Sequence, residues 1–114
     1  ARLMIGEVTA DSVPALRELG DRVRGKIGSG AALLVARIDG KVMLLAVVSA
    51  DLADSGRARA DEIVRAVAAM TGGSGGGKPH MALGGARDEA RLPEALEAAR
   101  AMLRERLAGS GEGR

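Results

Sequence analysis

The sequence predicts an α/β domain: a small mixed sheet in the order β-α-β-β-α-β-α, with helices packed on it. Three observations carry this expectation. Two apolar runs, Ala31 to Ile38 and Val42 to Ser49, meet at Asp39-Gly40, a dipeptide that favours the type I′ hairpin turn. Three other segments place apolar residues at helical spacing. Between the second and third of them lies Gly72-Gly73-Ser74-Gly75-Gly76-Gly77-Lys78-Pro79-His80, a glycine run broken by a cation and a proline.

Leu3, Met4, Ile5 and Val8 read as an opening strand. Asp11 and Ser12 then offer N-cap oxygens, and Pro14 is tolerated in a first helical turn. Leu16, Leu19, Val23 and Ile27 form the apolar stripe of the first helix, which Gly28 closes. The two runs of the hairpin are apolar at nearly every position instead of alternating. Such strands need cover on both faces. Asp51 to Arg57 reads as a polar connection. Ala60, Ile63, Val64, Val67 and Met70 mark a second helix ending at Gly72. Met81 to Leu83 can form a short strand, and Leu92, Leu96, Ala99, Leu103 and Leu107 stripe a third helix with Pro93 in its first turn. The domain is expected over residues 1–108, with 109–114 a disordered, solvated tail.

Composition narrows the function classes. The 114 residues contain no Phe, Trp, Tyr or Cys, so the core must come from small aliphatic side chains and five methionines. Without cysteine there is no disulfide framework and no thiolate metal site. No apolar run approaches a membrane span, and the chain reads as soluble and cytoplasmic. The net charge of +2 points weakly to an anionic partner. Missing aromatics disfavour single-strand binding platforms, which stack bases on rings. A nucleic acid held here would be gripped by backbone amides, lysines and arginines.

No catalytic residue and no metal site can be read from the chain. His80 is the single histidine, without a converging set of acidic or metal-ligating residues, and reads as a hydrogen-bonding group of the loop. Ser29, between Gly28 and Gly30, precedes a strand where a nucleophile elbow would follow one. The glycine run is not a Walker A loop either: Lys78 is followed by Pro79, and the run follows a helix. It is expected to be a shaped loop with exposed amide donors beside a cation. Gly76 in particular is expected to need close approach and a positive φ. The expected nucleic-acid-binding residues are Gly75, Gly76, Gly77, Lys78, Pro79 and His80, with Arg57 and Arg59 at the start of the helix that feeds the loop.

Gly75-Gly76-Gly77-Lys78-Pro79-His80-Met81-Ala82, behind a helix reading Ile63-Val64-Arg65, resembles the C-terminal domain of alanyl-tRNA synthetase, of the DHH-associated superfamily. Leu16-Arg17-Glu18-Leu19, Asp39-Gly40-Lys41 and Val48-Ser49 extend the resemblance over nearly the whole chain. The family pattern is a glycine run, then Arg-Pro-Asp-Met-Ala-Gln. Lys78, His80 and Leu83 depart from it, and Lys78 keeps the charge while losing the planar fork of arginine.

The resemblance implies a non-catalytic accessory module that holds the elbow of tRNA(Ala), where the D and T loops meet, while upstream domains carry aminoacylation and editing. It implies no cofactor in this chain, with ATP and zinc confined to those upstream domains. The chain is accordingly expected to be a C-terminal fragment whose partners are tRNA and the upstream synthetase domains, with a homodimer as a further candidate. Two other readings stay open: the substrate-binding half of a DHH-type phosphoesterase acting on short oligonucleotides, and a self-association module.

Overall fold

Asp39 and Gly40 take positive φ angles of 53° and 77°, as a type I′ turn requires. They join β2 (Gly30–Ile38) to β3 (Lys41–Val48) in an antiparallel register that runs from Ile38–Lys41 to Ala31–Val48. The computed structural model describes the backbone of residues 2–112 and the side chains of residues 2–107. The opening strand β1 (Arg2–Glu7) pairs parallel to β2, and α1 (Val13–Ile27) makes the crossover between them. Ser12 Oγ accepts the Ala15 N–H at 3.2 Å at the start of α1, and Gly28 ends it.

The chain then forms α2 (Ala50–Ser55), α3 (Ala60–Met70), β4 (Ser74–Gly77), β5 (Met81–Ala86), a 3₁₀ turn (Glu89–Arg91) and α4 (Leu92–Glu112). The five strands lie in the order β1-β2-β3-β5-β4, all antiparallel except the first pair. Residues 30–36 and 44–49 are buried without interruption. Two cores explain why. Ala31, Leu33, Val35, Leu44 and Ala46 pack under α3 and α4, through Ile63, Val64, Val67, Ala95, Ala99 and Leu103. Ala32, Leu34, Leu45 and Val47 pack on the opposite face under α1, through Leu16 and Ile27. The continuous apolar pattern is therefore met by helices on both sides.

Three elements differ from the sequence expectation. The polar connection contains the short helix α2, started by Ser49 and anchored by Leu52. One turn with a single buried residue leaves no periodicity to detect. The glycine run is not a loop: Ser74–Gly77 is an edge strand paired residue by residue with β5. Glycine weakens strands and shows no alternation, so the pairing had no sequence signature. It forms because α3 lies flat on it, with Val64 Cγ1 so close that a Cβ on Gly75 or Gly84 would overlap it. Gly84 and Gly85 accordingly extend β5 beyond the expected Met81 to Leu83. As for the tail, α4 continues to Glu112, through part of the segment expected to be disordered, and residues 113 and 114 lie outside the described residues.

Candidate nucleic-acid interface

The strand pair β4–β5 ends in a tight tip at Pro79-His80. The Lys78 N–H donates to Met81 O at 3.0 Å and closes it. Two carbonyls then pin the tip to the rest of the fold. Pro79 O accepts the Ala60 N–H at 2.7 Å, and His80 O accepts the Val48 N–H at 3.0 Å. Ala60 is the first residue of α3, whose early N–H groups have no partner within the helix, so the tip acts as its backbone cap. The Lys78 and His80 side chains are left exposed on a tip whose backbone is held at both ends.

On the α1 side of the sheet, the tip borders a cavity of about 250 Å³. Leu45, Met81 and Leu83 line it together with Gly76 and Gly77, and Arg17, Lys78 and His80 bring the polar groups. Among the described residues, neither Arg17 nor Lys78 forms an ion pair or a side-chain hydrogen bond. A larger cavity, about 360 Å³, lies at the other end of the hairpin beside Lys41, Ser74 and Arg87. Its wall includes Glu89, which is paired to Arg37, so its charge is partly neutralised.

On the α3 side stands an ionic group built on Asp61. This side chain is 5% exposed, yet it sits in the first turn of α3, where a negative charge is favoured. Arg59 Nε donates to its Oδ1 at 3.1 Å, Arg59 Nη2 to its Oδ2 at 3.3 Å, and Arg65 Nη1 approaches Oδ2 at 3.2 Å. The hydrogen bond from Arg59, followed by the charges of Arg59 and Arg65, outweighs burial and holds the Asp61 carboxyl below its ordinary value.

The structure thus gathers Gly75, Gly76, Gly77, Lys78, Pro79 and His80 on one hairpin. Arg59 comes to its tip through the Ala60–Pro79 bond, but its guanidinium is turned onto Asp61. Arg57 is exposed in the α2–α3 link, with its N–H on Leu52 O at 3.0 Å, and does not line the cavity. The helix meets the glycine tip with its N-terminus as well as feeding β4 from its far end. Gly76 is also not the strained position: Gly77 carries the positive φ, 153°, and a side chain at Gly76 would meet only Arg65. Sequence reading did not place Arg17 or Arg65 in the site. Both occur in the quoted motifs, but only the fold shows which helix faces reach the hairpin.

Among the described residues, no group of three His, Asp or Glu side chains could hold a metal ion, and no helix is long and apolar enough to cross a membrane.

A sheet covered by helices on both faces is an α/β layer fold, and comparison with known proteins identifies its family. Residues 6–105 match the DHHA1 domain, and the chain belongs to that family. It is 46% identical over 96 residues to the alanine–tRNA ligase of Roseiflexus sp. (strain RS-1), covering 84% of this chain and 10% of the ligase. It is 44% identical over 108 residues to that of Roseiflexus castenholzii, covering 95% of the chain and 12% of the ligase. Among solved structures, the C-Ala domain from Aquifex aeolicus alanyl-tRNA synthetase superposes with a TM-score of 0.76 at 27% identity, covering 89% of each chain. The chain thus corresponds to the C-terminal domain of alanyl-tRNA synthetases and spans about a tenth of the length of those two ligases. It matches one domain of a ligase, not the whole enzyme.

Proposed function

We propose that this domain is a non-catalytic tRNA-binding module of an alanine–tRNA ligase, holding the tRNA elbow through its glycine hairpin while other domains carry aminoacylation and editing. ATP and zinc belong, on this reading, to those other domains. The observation that carries it is the conjunction of a backbone-pinned glycine tip with Arg17 and Lys78, two cations that have no ionic partner among the described residues. Cations in that state are available to phosphates, and phosphate contacts position a nucleic acid without reading its sequence. Binding of the chain to tRNA(Ala), an unrelated elongator tRNA and a short single strand tests the proposal. The two tRNAs should bind similarly, weakly and with strong salt dependence, and the single strand more weakly still.

A specific observation also favours self-association as a second property. β1 is an edge strand, its Met4 is 48% exposed, and a cleft of about 350 Å³ opens between it and α1 beside Val23 and Ile27. Exposed edges and apolar surface together suit pairing with a second copy. Sedimentation of the chain against Met4→Glu distinguishes a dimer through this edge from a monomer.

A further inference from the structure

We infer that Asp61 is a positioning residue that holds the Arg65 guanidinium over Gly76, presenting its free edge to a phosphate of the bound nucleic acid. The inference rests on the nucleic-acid-binding reading of the hairpin and adds to it a contact residue and the group that aims it. Arg65 uses Nη1 for Asp61, at 3.2 Å. Its other edge, Nη2 and Nε, lies 3.8 and 4.0 Å from where a side chain on Gly76 would begin. Among the described residues that edge has no other partner. Nε–H and Nη2–H are the parallel pair of donors that grips two oxygens of one phosphate.

Two further features fit this role. Arg59 occupies both carboxylate oxygens of Asp61 from the other side, so the acceptor that Arg65 leans on is itself fixed. Gly76 has no positive φ, and no backbone atom stands within 4 Å of a Cβ built on it, so folding does not demand glycine there. A side chain at that position would stand in front of the Arg65 edge. Clearance for a ligand accounts for the residue where strain does not. The neighbouring Gly75 and Gly77 differ, since a Cβ at either would collide with backbone or with a side chain of the core.

The test is tRNA(Ala) binding by fluorescence anisotropy across a salt series. It compares the parent chain with Asp61→Asn, Arg65→Ala, Arg65→Lys, Gly76→Ala and Lys78→Ala, each also melted to verify folding. Asp61→Asn removes a negative charge from a surface that meets a polyanion. A bystander carboxylate would therefore leave binding unchanged or tighten it. Positioning predicts the opposite sign, a loss of about three- to tenfold, with little further loss when Arg65→Ala is added. Arg65→Ala should lower the slope of log affinity against log salt by up to about one unit, and Arg65→Lys should fall between it and the parent. Gly76→Ala should weaken binding without lowering the melting temperature. If Asp61→Asn does not fold, Arg65→Ala, Arg65→Lys and Gly76→Ala carry the test. Parent-like binding by Arg65→Ala and Gly76→Ala, with Lys78→Ala weakened, would overturn this inference and leave the hairpin reading intact. A parent chain that fails to bind tRNA would overturn both.

Discussion

Replacing Gly75 with alanine should destabilise the domain, whereas the same change one residue later should not. A Cβ on Gly75 would overlap Val64 Cγ1 and stand 2.7 Å from Gly84 Cα and 3.0 Å from Leu83 O. Two of these neighbours are backbone of the paired strand β5, and Val64 is fully buried, so nothing nearby can swing aside. Overpacking of this kind costs about 1–3 kcal/mol. Reduced freedom of the unfolded chain returns roughly 0.5 kcal/mol of that. The net loss should be about 0.5–2.5 kcal/mol, and a domain of this size shifts about 4 °C per kcal/mol, which gives a fall of about 2–10 °C. A Cβ on Gly76 would stand 3.8 Å from Arg65 Nη2, an ordinary contact, so Gly76→Ala should melt within about 2 °C of the parent. With no Trp or Tyr there is no useful intrinsic fluorescence, so the assay is thermal melting by far-ultraviolet circular dichroism, with calorimetry to verify a single transition. Combining Gly75→Ala with Val64→Ala should cost less than the two single losses added together, because the second change removes the colliding methyl. Equal melting temperatures for Gly75→Ala and Gly76→Ala would refute the packing of α3 on β4 described above.

The remaining expectations concern function and pH. Lys78→Ala and Arg17→Ala should each leave stability within about 0.5 kcal/mol, as exposed positions do, while each lowers the salt slope of tRNA binding by up to about one unit. Isothermal titration at several salt concentrations measures the slope, and thermal melting the stability. Asp61, Glu89 and Asp51 all titrate below their ordinary values in the folded state, through Arg59, Arg37 and the Ser29 and Ser49 hydroxyls respectively. Their contribution is therefore complete above the ordinary carboxylate value of about 4 and is lost as pH falls through the depressed folded values. Urea melts between pH 7 and 2 should show this acid limb, and Asp61→Asn should make it shallower. The chain alone should form no alanyl-tRNA and release no nucleotide with added divalent metal, since among the described residues His80 has no converging metal-ligating partners; turnover abolished by His80→Ala would contradict that.

Much of the fold was legible because its signals are local. Asp39-Gly40 dictates its own turn, and two strands apolar at nearly every position require cover on both faces. The stripe of Ile63, Val64 and Val67 marks α3, because burial on one face of a helix imposes its own period. Ser74–Gly77 was illegible as a strand for a physical reason: three glycines give no alternation, and its pairing depends on Val64 folding back onto it from the preceding helix. The glycine tip could be named as a candidate site from Lys78 and its neighbours. Arg17 and Arg65 could not, since nothing in a helix's sequence says which exposed arginine ends beside a separate hairpin. Arg59 shows the converse. Sequence made it an expected nucleic-acid contact, but two residues on, Asp61 occupies it.

The most direct test of the account is a two-dimensional amide spectrum of the isotope-labelled domain titrated with tRNA(Ala). The amides of Gly75 to Lys78, His80 and Met81 should shift or broaden first, together with the side-chain Nε–H signals of Arg17 and Arg65, and added salt should reverse the change. Perturbations confined to α4 or to the β1 edge, with the glycine amides unmoved at saturation, would contradict it.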